Sequence, residues 1–265
     1  MEIQQLKKDV KEILEPLDGK CGLALEWENR EIFIQPHEQC PAASLIKIPI
    51  LLEAFRQAEK NHIDLGKKVN ISEEERVGGA GVLHQLSSEL NPTLRDLLAL
   101  MIIVSDNTAT NRVIEELGID SVNRLCAQLG LNQTTLQRKL FDFEAAERGC
   151  ENYTSAHDML DCLREIATGK QMGFSQQSRN EMIQMLGGQQ FSNKIPAGII
   201  QYDERDPFIA HKTGEVNGVE HDVGIIRYRG KEILLAVVMY DLTNNADGRE
   251  AISEIGKSVI RAMGK

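Results

Sequence analysis

The order in which two periodicities follow one another limits the fold of this chain more than any other feature. Strand-like runs CGLALEW and EIFIQP, joined across Glu28-Asn29-Arg30, stand near the start, and PFIAHKTG, DVGIIRYRG and KEILLAVVMYDL stand near the end. Between them the period becomes helical, in SLIKIPILLEAFRQAEK, TLRDLLALMIIVS and NTATNRVIEELG, the last stopped by Gly118. A sheet drawn from both ends must close around a helical insert. The expectation is one folded unit with a discontinuous α/β lobe, residues 1–40 and 195–265, and an all-helical lobe, 41–194, with a cleft where they meet. An amphipathic N-terminal helix precedes the first strand, Arg229-Gly230 makes a tight connection, and a helix over about 247–263 closes the chain.

Charge narrows the function classes. With 30 Lys and Arg against 40 Asp and Glu, a net charge of −10, neither nucleic acid nor an anionic membrane surface is an expected partner. The longest apolar stretches, 46–52 and 97–104, fall short of the ~18 residues that span a bilayer. The start, MEIQQLKKDVKEILEPLDG, lacks the apolar run of roughly 7–15 residues of an export signal, so the chain as it stands is expected in the cytoplasm, or secreted if an export segment has been removed. Five cysteines, an odd and scattered set, suggest reduced buried thiols. The six histidines show no paired ligand spacing, so no metal and no cofactor is expected. A monomer acting on a small molecule fits these features best.

Three short motifs stand in order: Ser44-Leu45-Ile46-Lys47, Ser105-Asp106-Asn107 and His211-Lys212-Thr213-Gly214. Each fragment is common alone; the ordered set is a recognised signature of serine acyl transfer. A spacing of three on a helix puts Ser44 and Lys47 on one face, about 5–6 Å apart at Cβ, so the amine can reach the hydroxyl. The apolar run 46–52 supplies the burial that lets a lysine amine accept a proton. Ser44 also sits at a helix start, where its own amide can face an oxyanion, although taken alone it would suit a helix N-cap. At the junction of two helical runs, Ser105 can relay a proton to a leaving amine and Asn107 can hold the Lys47 ammonium and a substrate amide together, while Asp106 suits a cap. Lys212 raises the positive potential near Ser105, Thr213 can bond a substrate carboxylate, Gly214 permits close approach, and the Glu215 amide is the second oxyanion donor. Gly78-Gly79-Ala80-Gly81 reads as a connection, since no Gly-Lys-Ser/Thr follows to make a phosphate cradle.

On these motifs the chain resembles the class A serine β-lactamase superfamily, which also holds penicillin-binding DD-peptidases. Cys40-Pro41-Ala42-Ala43, MIIVSDNTATN and HDVGII extend the likeness over nearly the whole chain. The resemblance implies an α/β (α+β) fold: an antiparallel sheet of about five strands flanked by helices, against an all-helical lobe. It also implies Ser44 as the acylated nucleophile, Lys47 as base or proton shuttle, Ser105 as the second serine, Asn107 as the amide-binding residue, and Lys212 and Thr213 as substrate contacts. The departure is at the deacylation glutamate of the pattern Arg-x-Glu-x-x-Leu-Asn, where LQRKLFDFEAA places Leu140. Asp142 and Glu144 are the nearest substitutes, with Glu144 favoured over Asp142 and both ahead of Glu147 and Glu151; a solvated acidic loop is the other reading. No Arg follows KTG to take a substrate carboxylate, and His221 is the nearby candidate, suited equally to a structural hydrogen bond. The activity implied is hydrolysis of β-lactam amides through an acyl-enzyme on Ser44, with slow deacylation. The alternatives are a DD-peptidase or small-ester hydrolase taking acyl-D-Ala-like substrates, and a non-catalytic β-lactam sensor.

Overall fold

The computed structural model describes residues 2–28, 30–200 and 207–264; Asn29 of the expected turn, the terminal Met1 and Lys265, and residues 201–206 lie outside the described residues. Helix α1 (Glu2–Leu14) leads into β1 (Lys20–Trp27) and β2 (Arg30–Ile34), and the short β3 (Cys40–Pro41) passes through a 3₁₀ turn, Ala43–Ile46, into α2 (Lys47–Glu59). The middle of the chain holds α3 (Leu94–Ile103), α4 (Asn107–Leu117), α5 (Ile119–Leu129), α6 (Phe143–Glu147), β4 (Tyr153–Thr154), α7 (Ala156–Thr168) and α8 (Gln176–Gly187). It ends with α9 (Ile195–Ile200), β5 (Phe208–Val216), β6 (Val219–Tyr228), β7 (Lys231–Tyr240) and α10 (Asn245–Gly264). The five-stranded sheet has the order β2-β1-β7-β6-β5, and every pairing is antiparallel. This is the α+β architecture that the resemblance implies.

The sheet is buried on both faces, which explains why β7 reads as a continuous apolar run. Alternate residues point opposite ways. Leu234, Ala236, Val238 and Tyr240 join the core shared with the middle helices, while Ile233, Leu235, Val237 and Met239 pack with α1 and α10. Helix α2 is buried on nearly every side, as a helix at the centre of a lobe must be. Side-chain caps fix the starts of its neighbours: Thr93 with Asp96 begins α3, Asp106 begins α4 and Ser155 begins α7.

Some expectations shift. The middle stretch is not wholly helical, because Cys40–Pro41 pairs with Tyr153–Thr154. Helix α7 packs on β1 and β7, so part of the middle stretch covers the sheet instead of standing apart from it. The β5 strand runs past Gly214 to Val216, and β6 starts at Val219, which puts His221 inside a strand. All five cysteines are free thiols; burial pushes Cys21, Cys40 and Cys126 up to about 12, which leaves them unreactive.

Candidate active site

Ser44 lies in the 3₁₀ turn, one turn before α2 proper, with Ala43 at φ 44° in front of it. In that tight helix residues i and i+3 eclipse, so Ser44 and Lys47 still share a face. The Lys47 side chain is wholly buried, and its Nζ bonds Ser105 O at 2.7 Å, Ser105 Oγ at 2.9 Å and Asn107 Oδ1 at 2.9 Å. Its link to Ser44 therefore runs through Ser105, whose Oγ lies 2.9 Å from Ser44 Oγ, where sequence spacing alone suggested direct contact. Burial and the nearby Lys212 charge hold the Lys47 amine well below its ordinary value, against the opposing pull of Asp106.

The Ser105 corner is over-determined. Ser105 has φ 54°, an unusual backbone state for a residue with a side chain, and it turns the chain sharply between α3 and α4. That turn aims both its carbonyl and its hydroxyl at Lys47. Asp106 accepts the amides of Val82 at 2.6 Å, Leu83 at 2.8 Å and Ala109 at 2.9 Å, so it caps α4 and ties the 78–83 loop to it. Asn107 holds that loop too: its amide nitrogen reaches Gly78 O at 3.1 Å, and its backbone N–H reaches Ala80 O at 3.1 Å. The loop fits because two of its residues lack side chains. A Cβ on Gly81 would lie 2.3 Å from Asp106 Oδ2, and one on Gly79 would lie 2.5 Å from the Phe141 ring. The glycine cluster read in the sequence as a connection is thus a wall of the site.

The opposite wall is β5. Lys212 is fully buried, its Nζ bonding Ser105 Oγ at 3.1 Å and Thr213 O at 2.8 Å, and burial with the nearby Lys194 charge lowers it to about 7 against Asp222 and Glu215. Gly214 passes so close that an added Cβ would sit 3.3 Å from Ser44 N, which is the approach that brings β5 against the Ser44 turn. Ser44, Ser105, Thr213, Glu215, Ala80 and residues 190–193 line a cleft of about 380 Å³.

Three sequence candidates fall elsewhere. His221 is wholly buried; its Nε2 is 2.9 Å from Pro41 O, and its Nδ1 accepts the Met239 N–H at 3.1 Å. Burial lowers it to about 4, so it is a neutral strut under β3, which leads into the Ser44 turn, with nothing left for a substrate carboxylate. Asp142 accepts the Ala145 amide at 2.9 Å as the cap of α6, and Glu144 is exposed; neither lines the cleft. Glu151 is held by Arg138 at 2.9 Å, and Glu147 is exposed. Sequence reasoning missed Lys194, a wholly buried cation whose Nζ bonds Gly214 O at 3.0 Å and His221 O at 3.2 Å and pairs with Glu220 at 2.6 Å. A lone lysine in SNKIP carries no local pattern that would have marked it.

A serine at a turn, two buried lysines meeting at a second serine, and a cleft beside a sheet edge define a serine acyl-transfer enzyme of the β-lactamase type. The model of the Beta-lactamase enzyme family matches residues 5–263, and the chain belongs to that family. A β-lactamase from Citrobacter koseri is 24% identical over 253 residues, covering 91% of this chain and 82% of that protein. The crystal structure of a β-lactamase from Sphaerobacter thermophilus is 28% identical with a TM-score of 0.88, covering 98% of this chain and 97% of that one. The structure of PBP-A shares the fold at TM-score 0.87 and 24% identity, covering 99% of this chain and 97% of that one.

Proposed function

We propose that this chain cleaves β-lactam amides through an acyl-enzyme on Ser44 and releases the acyl group slowly. The observation that carries the reading is Ser105 Oγ, which stands within hydrogen-bond reach of Ser44 Oγ, Lys47 Nζ and Lys212 Nζ. A hydroxyl has one proton and two lone pairs, so three partners use it fully. Two of the Lys47 partners, Ser105 O and Asn107 Oδ1, are pure acceptors and each takes one N–H. When Lys47 is neutral its lone pair must therefore face Ser105 Oγ. The Ser105 proton then turns to Lys47 as the Ser44 proton passes to Ser105 and Ser44 Oγ bonds the carbonyl carbon. Ser105 then gives its proton to the ring nitrogen as the C–N bond breaks, and Lys47 returns its extra proton to Ser105. The Ser44 and Glu215 amides are the oxyanion donors in this reading, and Asn107 and Thr213 bind the substrate.

Release needs a water and a base, and the family's glutamate position holds Leu140. Intact mass after mixing with penicillin tests the reading. The protein should gain one penicillin, located on the Ser44 peptide and persisting over time. An adduct that survives in Ser44→Ala sinks it. A DD-peptidase or small-ester hydrolase uses the same acylation parts, and Leu140 also favours it; turnover of nitrocefin against a D-Ala-D-Ala peptide separates the two.

A further inference from the structure

The cleft carries an acidic side chain where an anionic substrate would need a cation. Among the described residues lining it, Glu215 is the one ionised side chain. It follows Thr213 and Gly214 on β5, its carboxylate is 60% exposed, and Oε2 stands 3.3 Å from Lys194 Nζ. Behind it lies a closed set of charges. Glu220, wholly buried, pairs with Lys194 at 2.6 Å and with Arg249 at 2.6 Å. Two cations and one anion would leave one positive charge at this end of the cleft; Glu215 cancels it. Lys212 is shut away from solvent with two of its three N–H donors on Ser105 Oγ and Thr213 O, and its charge already faces buried Asp222 and Glu215 itself.

We infer that Glu215 is a specificity residue that selects acyl donors uncharged at the end lying against Thr213 and repels those with a carboxylate there. This rests on the proposed acylation of Ser44 and adds the charge class of the donor. A free carboxylate entering beside Glu215 meets a like charge, and among the described residues no unmatched cation lines the cleft to offset it. A neutral ester or amide at the same point pays no such penalty and can still bond the Thr213 hydroxyl.

Penicillin G and its methyl ester form a matched pair that differs in this one charge. Rates of Ser44 adduct formation, followed by intact mass at pH 6 so that loss of the Lys212 proton does not offset the change, should favour the ester in the wild type. Glu215→Gln should raise the acid-to-ester rate ratio about five- to tenfold, the scale of one charge removed at close range, and the ratio cancels any effect on the oxyanion donors that both substrates share. Glu215→Asp, which keeps the charge, should keep the wild-type acid-to-ester ratio, and added salt should narrow the wild-type difference. Adducts that form on Ser44 with the same acid-to-ester ratio in wild type and Glu215→Gln overturn the inference alone. Failure of both donors to acylate Ser44, in the wild type and in Glu215→Gln alike, overturns the acylation reading and this inference with it.

Discussion

The Ser105 corner and the loop from 137 to 151 are both held firmly, yet their polar groups are used in opposite ways. At the corner every valence of Ser105 Oγ, Lys47 Nζ and Asp106 points inward to another group of the site. The loop is tied at its base as well: Asn111 clasps Leu140 through both backbone groups at 2.8 and 2.9 Å, and Asn152 Oδ1 takes the Gln137 and Arg138 amides at 2.8 and 3.1 Å. Its acidic side chains, however, serve caps, an ion pair and solvent. In the proposed reading the corner is the preorganised half of an acyl-transfer cycle, where a leaving group is expelled, and among the described residues of the 137–151 loop no acidic side chain lines the cleft for the half where water enters.

The largest test of that contrast strikes the corner. Ser105→Ala removes the one oxygen joining Ser44 to both lysines, and Ser44 acylation is expected to slow by ~10²–10⁴-fold, the usual weight of a positioned proton-transfer group. Rapid-quench mass spectrometry measures it. An unchanged rate would mean that Lys47 reaches Ser44 directly.

Next comes His221, the strut between β3 and β7. Folded His221 is lowered to about 4, whereas the unfolded residue titrates near 6.5, so the unfolded state binds more protons between those values. Stability from this group is complete above pH 6.5 and is lost as pH falls to 4, a swing of about 3 kcal/mol. Gln at 221 can donate to Pro41 O and accept from Met239 N without titrating. Denaturant unfolding of His221→Gln should show a loss between pH 6.5 and 4 that is smaller than wild type by about that amount; parallel pH curves would show that His221 carries no such linkage.

A smaller effect is expected from rebuilding the missing half. Leu140→Glu places a carboxylate where the family pattern has one, on a backbone that Asn111 already holds at both ends. Release of the penicillin adduct should quicken by about tenfold or more, the lower part of what a general base contributes having been set by imperfect placement. Acylation should change little. A lifetime equal to wild type would show that the loop does not bring position 140 to the ester.

The contrast also marks what the sequence could carry. That Ser44, Lys47, Ser105, Asn107, Lys212 and Thr213 would lie together was legible because short motifs fix residue type and spacing together, and the sheet was legible because β7 and its neighbours alternate between two buried faces. The route from Lys47 through Ser105 was not, since it depends on a left-handed turn at Ser105 that no local pattern announces. Nor was the acidic loop: Asp142 and Glu144 stood close to the expected position in sequence, but direction decides, and a cap bond turns one carboxylate to Ala145 while the other meets solvent. Lys194 and the carboxylate of Glu215, whose amide alone was singled out in the sequence, escaped for a related reason, because their meaning lies in a charge set assembled from three separate segments.

The smallest expected effect is the one that separates nearness in sequence from placement. Glu144→Gln removes an exposed carboxylate that lies outside the cleft, and adduct release should stay within about twofold of wild type. Asp142→Asn keeps an oxygen able to accept the Ala145 amide and should also leave release unchanged, whereas Asp142→Ala, which removes the cap, should cost about 1 kcal/mol in unfolding free energy if α6 melts with the rest of the fold. Chasing the preformed penicillin adduct by mass, with thermal or denaturant unfolding alongside, reads both quantities. A release rate that falls ~10²-fold in Glu144→Gln with stability unchanged would mean that α6 swings its acid into the cleft once Ser44 is acylated, and the two regions would then be halves of one catalytic apparatus.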